Sequence, residues 1–200
     1  MAFCGVNYCL LASDKRVTFR NNTDHIEVDD SFEKIFKVND NVIFGGTGSF
    51  WGNEDVYEPI KSRMNDRLSI VDAVKMTEQF MYDNLVYVSL MKRNYFITGK
   101  DEDDIYYLVR VSLNEEERSV QTISYVPKDL KQNATMLVLP HSLGDISQAK
   151  KYNKMLNDSV KSASVLPDIY LGCSKIILSV SNDDPSYIVG DKLSFLSIHD

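Results

Sequence analysis

Three stretches decide how this chain folds: Leu11-Ala12-Ser13-Asp14-Lys15-Arg16, Phe32-Glu33-Lys34-Ile35 and Phe44-Gly45-Gly46-Thr47-Gly48. The first closes the short apolar run Tyr8 to Ala12, which reads as a strand buried on both faces. Val17-Thr18-Phe19 resumes a strand pattern, and Asn21-Asn22-Thr23-Asp24 is turn chemistry. The second stretch opens a strand over Phe32 to Phe36. Alternation within it places Lys34 on the face of Phe32 and Phe36. A lysine on an apolar face needs a carboxylate partner, for which Asp14 is the natural candidate, or it snorkels to solvent from the strand end. The third stretch follows the strand Val42-Ile43-Phe44, and its glycines mark a sharp turn.

Outward from these stretches the period changes. Ile60, Met64 and Leu68 sit four apart, the spacing of one helix face, with Pro59 in the first turn. A longer helix is predicted from Ile70 to about Met91, started by Ser69 as a cap and carrying Ile70, Val74, Met81, Leu85 and Val88 on one stripe. From Asn94 the period becomes two. Tyr95 to Thr98, Ile105 to Val111 and Val120 to Val126 read as three antiparallel strands. The acidic runs Asp101 to Asp104 and Asn114 to Glu117 are the turns between them. A third helix is expected from Asp145, with Ile146, Ala149, Tyr152, Met155 and Leu156 inward. Lys175 to Val180 and Ser186 to Val189 then read as a last hairpin. The order predicts one α+β domain over residues 1–200, with segregated layers.

Composition limits the function classes. The 200 residues carry 22 Lys and Arg against 29 Asp and Glu, for a formal net charge of −7. Such a surface repels phosphate backbones and anionic lipid, so neither nucleic acid nor a membrane is the expected partner. Cys4, Cys9 and Cys173 are too few for a disulfide framework, and no apolar run is long enough to span a bilayer. The chain reads as cytoplasmic and reduced. Nothing in it has the spacing of a metal or cofactor site. His25, His141 and His199 are scattered, and Trp51 reads as a core anchor.

Taken in order, Leu11 to Arg16, Phe32 to Ile35 and Phe44 to Gly48 resemble the opening of proteasome β-type subunits. That group includes bacterial HslV and the Anbu-type proteasome-like proteins. Met1-Ala2-Phe3-Cys4 is similar to the short Met-Thr-Tyr opening of the Anbu type. The resemblance covers about residues 1–126 and is weak beyond Pro127. It implies the N-terminal-nucleophile (Ntn) hydrolase fold, a four-layer αββα sandwich. In such enzymes the first residue is Thr, Ser or Cys and its own α-amine is the base. A Lys lowers the nucleophile's pKa, an Asp orients that Lys, and an amide at a glycine turn forms the oxyanion hole.

Carried over residue by residue, Asp14 matches the Asp, Lys34 the Lys and Gly46 the oxyanion-hole turn. The nucleophile does not carry over: position 1 is Met, and Ala2 stands where an Anbu-like chain has Thr. The expectation is therefore a proteasome-like homo-oligomer, ring or spiral, whose peptidase site is silent and which has no cofactor. Two alternatives stand beside it. Cys4 would be the nucleophile of a peptidase or amidohydrolase if Met1, Ala2 and Phe3 were removed, with a peptide or protein as substrate. Otherwise the chain is an unrelated α+β binding protein in which Asp14 and Lys34 form an ordinary ion pair.

Overall fold

The computed structural model describes residues 1–20, 26–48, 58–90, 92–114, 116–129, 133–139, 143, 145–163, 165–186 and 188–200. His25, His141, Trp51, Met91 and the turn at Asn21 to Asp24 lie outside them. Helix and strand both contribute, as an α+β chain requires. Among the described residues the strands form a four-stranded sheet, a two-stranded hairpin and a five-stranded sheet. β1 is Ala2–Gly5, β2 Tyr8–Asp14, β3 Val17–Arg20, β4 Ile26–Asp29, β5 Ile35–Asn39 and β6 Val42–Thr47. β7 is Asn94–Lys100, β8 Tyr106–Asn114, β9 Ser119–Tyr125, β10 Ala134–Met136 and β11 Leu193–His199. Among the described residues no helix is long and apolar enough to cross a membrane.

The residues fall into two compact units. One holds Ala2–Leu11, Ile35–Ala134 and Leu196–Asp200. Its five-stranded sheet is an antiparallel meander, every strand paired with its neighbour in sequence. Short turns join β5 to β6, β7 to β8 and β8 to β9, whereas β6 and β7 pair across the helical segment between them. Helix α2 (Ile70–Asp83) lies on β7, β8 and β9 and buries Ile70, Ala73, Thr77, Phe80 and Met81. Ser69 caps it as its sequence suggests, its hydroxyl accepting from the Asp72 amide at 3.1 Å. The expected single helix to residue 91 is instead two: α2 ends at Asn84, whose backbone N–H turns to Met81 O, and α3 (Leu85–Leu90) follows. The helix expected through Met64 and Leu68 is also shorter. Helix α1 covers only Glu58–Lys61, with Pro59 in its first turn, and turns follow. β1 packs on β7 and β8 within this unit.

The other unit holds Met1, Ala12–Lys34 and Thr135–Phe195. Helix α4 (Ile146–Ser162) starts at Asp145, whose carboxylate accepts from the Gln148 amide at 2.8 Å. Tyr152 and Leu156 are buried as expected, but Ile146 is 75% exposed because it sits ahead of the stripe that meets α5. Helix α5 (Leu166–Asp183) replaces the expected hairpin. Ile169, Cys173, Ile176, Ile177 and Val180 are its buried face, a helical spacing of four, three, one and three. β-branched residues between Lys175 and Val180 imitate a strand, but packing of α5 on α4 prevails over that local preference. Gly172 lets the two helices approach: a Cβ there would lie 2.6 Å from Ser159 Cβ. Tyr152 ties them by donating to Asp183 Oδ2 at 2.6 Å.

Candidate functional site

Asp14 is the last residue of β2, where the apolar run gives way to charge. Its Oδ2 accepts three hydrogen bonds: from Lys34 Nζ at 2.8 Å, the Arg16 amide at 3.0 Å and the Gly190 amide at 3.1 Å. The Lys34 and Asp14 side chains are 17% and 13% exposed, so this pair is held largely out of water. A charge-assisted bond in that setting is stronger and more directional than a surface pair. The structure thus joins Lys34 to Asp14 and sets the solvent-facing alternative aside. Lys34 does not take its direction from a strand face shared with Phe32 and Phe36, however. Lys34 precedes β5, which begins at Ile35, so it occupies a bend and strand alternation does not govern it.

Gly190 is a site residue that the sequence did not disclose. Its amide reaches Asp14 across 176 positions. Two side chains define the space around it, since a Cβ at Gly190 would lie 2.8 Å from Arg16 Cβ and 2.9 Å from Asp30 Oδ1. Arg16 grips Asp30 with a two-pronged bond, Nε to Oδ1 at 2.6 Å and Nη2 to Oδ2 at 2.9 Å. The segment leading to Gly190 is shaped by buried Asp184, whose carboxylate accepts from the amides of Ser186, Ile188 and Val189. In the sequence, Asn182-Asp183-Asp184-Pro185 is turn chemistry between the two halves of the expected last hairpin and gives no hint of Gly190.

Near the charged pair lies the α-amino group of Met1, which donates to Ala12 O at 2.7 Å. Burial lowers its pKa below the usual amine value. Asp14 and the Cys173 thiol oppose that shift, and the Lys34 ammonium adds to it. The Cys173 thiol, buried in α5, is pushed up to about 12 by burial, with the amine pulling the other way. A deprotonated amine is a competent general base. In the Ntn arrangement the amine serves a hydroxyl or thiol on its own residue, and here Met1 has a thioether and Ala2 a buried methyl group.

Gly46 and Cys4 belong to the other unit. The expected sharp turn at Gly45 and Gly46 is not there: both glycines continue β6, with Gly46 opposite Tyr95 in the ladder. Within Gly45 to Gly48 the backbone enters the left-handed range at Gly48, with φ 137°. Cys4 sits inside β1, fully buried, and burial drives its thiol pKa far above the ordinary value. Trimming the chain to Cys4 would strip Ala2 and Phe3 from the strand, each about 1% exposed.

Neither family models nor curated proteins match this sequence. Solved structures do match its fold. HslV from Trypanosoma brucei superposes with a TM-score of 0.57 at 10% identity, over 100% of this chain and 98% of that one. The helical assembly of the Anbu complex from Pseudomonas aeruginosa gives 0.61 at 15% identity, over 99% of this chain and 80% of that one. Anbu from Yersinia bercovieri gives 0.63 at 13% identity with the same coverage. At such identity the likeness speaks for architecture alone. On that likeness over its whole length, this chain has the fold of the HslV- and Anbu-type Ntn hydrolases.

Proposed function

We propose that this chain is a proteasome-like, self-assembling protein whose peptidase site keeps its charged frame and lacks its nucleophile. The observation that carries this reading is the Lys34–Asp14 bond of 2.8 Å beside a buried α-amine, with a methyl group at Ala2. In an active Ntn hydrolase the lysine and amine serve a hydroxyl or thiol on the first residue. Asp14, Lys34 and Gly46 match the family's Asp, Lys and oxyanion-hole residue by motif, and neither Met1 nor Ala2 carries a hydroxyl or thiol for them to activate. A structural role in a homo-oligomer, ring or spiral, follows. Exposed apolar side chains on α2 and α3 support assembly: Tyr82 at 51%, Val86 at 76% and Leu90 at 67%.

The same reading takes residues 1–200 as one proteasome-subunit-like domain in the cytoplasm, with four layers in the order αββα. Three contacts, each inside one unit, support the layering: α2 on the five-stranded sheet, β1 on β7 and β8, and Tyr170 of α5 against Phe195 of β11 at 5.3 Å between ring centres.

The test is hydrolysis of fluorogenic peptide amides by the purified chain. No turnover is expected. Ala2→Thr with Met1 removed puts hydroxyl and amine on one residue and is expected to gain turnover, which Lys34→Met in that background removes. The gain will fall below that of a natural enzyme, because a misplacement of about 1 Å costs on the order of a hundredfold. Turnover by the unmodified chain, lost on Cys4→Ser, would overturn the proposal. Light scattering at micromolar concentration tests assembly; a mass that stays near 22.8 kDa contradicts it.

A further inference from the structure

The hairpin β1-β2 carries two thiols that play no part in the proposed site. Its register pairs Ala2 with Leu11, Phe3 with Leu10, Cys4 with Cys9 and Gly5 with Tyr8. Met1 and Ala12, one step further out, exchange both backbone hydrogen bonds: Met1 N to Ala12 O at 2.7 Å and Ala12 N to Met1 O at 2.9 Å. Antiparallel ladders alternate between hydrogen-bonded and non-hydrogen-bonded pairs. Counting inward from Met1–Ala12, Ala2–Leu11 is non-bonded, Phe3–Leu10 bonded and Cys4–Cys9 non-bonded. A non-bonded pair has the shorter Cα separation, about 4.5 Å, and its side chains stand on the same face at closest approach. Disulfides accept Cα separations of about 4.4–6.8 Å.

We infer that Cys4 and Cys9 form a cross-strand redox site, able to close as an intramolecular disulfide within the folded hairpin. The oxidant is a small disulfide such as oxidised glutathione. One protein thiolate attacks a glutathione sulfur and expels one glutathione thiolate. The second protein thiolate then attacks the mixed disulfide and expels the other. Two protein thiols lose two electrons, one small disulfide becomes two thiols, and the two protons pass to the released thiolates.

The site is slow by construction. Both cysteines are fully buried, Cys9 is pushed up to about 11, and Cys4 is raised further, burial being the main cause for both. The thiolate is the attacking species, so oxidation waits for opening at the hairpin's half-exposed turn, Val6-Asn7. Once closed, the bond is buried again and shielded from reductant.

The experiment incubates the full chain in glutathione buffers of rising oxidation, alone and in mild urea below the unfolding transition. Thiols are then alkylated and mapped by mass spectrometry. The expected product has lost two hydrogen atoms, links the Cys4 and Cys9 peptides, leaves Cys173 alkylated and reverts with a strong reductant. Urea should speed its formation several-fold. The closed form should favour the folded state on the order of tenfold more than the reduced form in denaturant titration. Cys173→Ala should leave all of this unchanged. Full alkylation of Cys4 and Cys9 in the most oxidising buffer with urea would overturn the inference, as would a product linked only through Cys173 or only to glutathione.

Discussion

Around Asp14 the chain is held by charge and hydrogen bonds; around Phe44, in the other unit, it is held by rings. Asp14 collects Lys34, the Arg16 amide and the Gly190 amide at one carboxylate oxygen. Phe44 packs against Phe36 at 5.2 Å and Tyr95 at 5.4 Å, and Tyr95 in turn meets Phe80 edge-on at 6.2 Å. The two clusters differ in what removal of one member does. An apolar cluster loses contact area and gains a cavity in proportion to the atoms removed. A polar cluster loses little while its members leave together, and much when one leaves its partner unpaired.

The largest expected effect lies in the ring cluster. Phe44 is fully buried in a central strand of the meander. Phe44→Ala should cost about 3–5 kcal/mol, read from the denaturant midpoint at an unchanged slope. A loss below about 1 kcal/mol would mean that the cluster collapses onto the gap and is not packed as described.

The polar cluster comes next, and it is best tested as a cycle. Asp14→Asn leaves the Lys34 ammonium without a counter-charge in a mostly dry place and should cost about 1–3 kcal/mol. Lys34→Met alone strands the carboxylate, which keeps its two amide bonds, and should cost less. The double variant should be more stable than the sum of the two losses requires, because neither charge is left behind. Strict additivity would show that the 2.8 Å bond contributes nothing in solution.

These clusters were not equally legible. Phe36, Phe44 and Tyr95 lie on strands and Phe80 on α2, and the strict alternation from Asn94 discloses β7, β8 and β9 in the sequence alone. Ser69 disclosed the start of α2 for the same reason: the signal is local. Lys34 and Asp14, 20 positions apart, are linked in the sequence by the need of a charge on an apolar stretch for a partner and by the family resemblance, while strand parity does not govern Lys34, which sits in a bend. Gly190 was illegible, since nothing near it in sequence hints at a carboxylate 176 positions away. Helix α5 was misread although its buried stripe has helical spacing; the β-branched run at its centre masked the longer period. With α5 read as strands, the terminal strand β11 was missed as well. The turn expected from Gly45 onward does not begin at Gly46, because the strand ladder with β7 runs on through Thr47, and the positive φ comes at Gly48.

The smallest effect separates the charged pairs from one another. Arg16 and Asp30 are about one-fifth exposed, a setting in which an ion pair contributes less than about 1 kcal/mol. The hydrogen bond from Arg16 holds the Asp30 carboxyl below the ordinary carboxylate range, with burial opposing it. A carboxyl depressed in the folded state binds its proton less readily there than in the unfolded chain. Its stabilisation is therefore complete above the unfolded pKa, near 4, and is lost as pH falls through the lower folded value. Arg16→Gln removes the guanidinium but keeps the backbone amide that serves Asp14. The variant should be less stable than the parent at pH 7, and the gap should shrink as pH drops below the ordinary carboxylate range. Urea titrations from pH 7 to the acid limit of folding measure this directly. A gap that stays constant over that range would mean that Arg16 acts through packing of its stem beside Gly190 and not through its charge on Asp30.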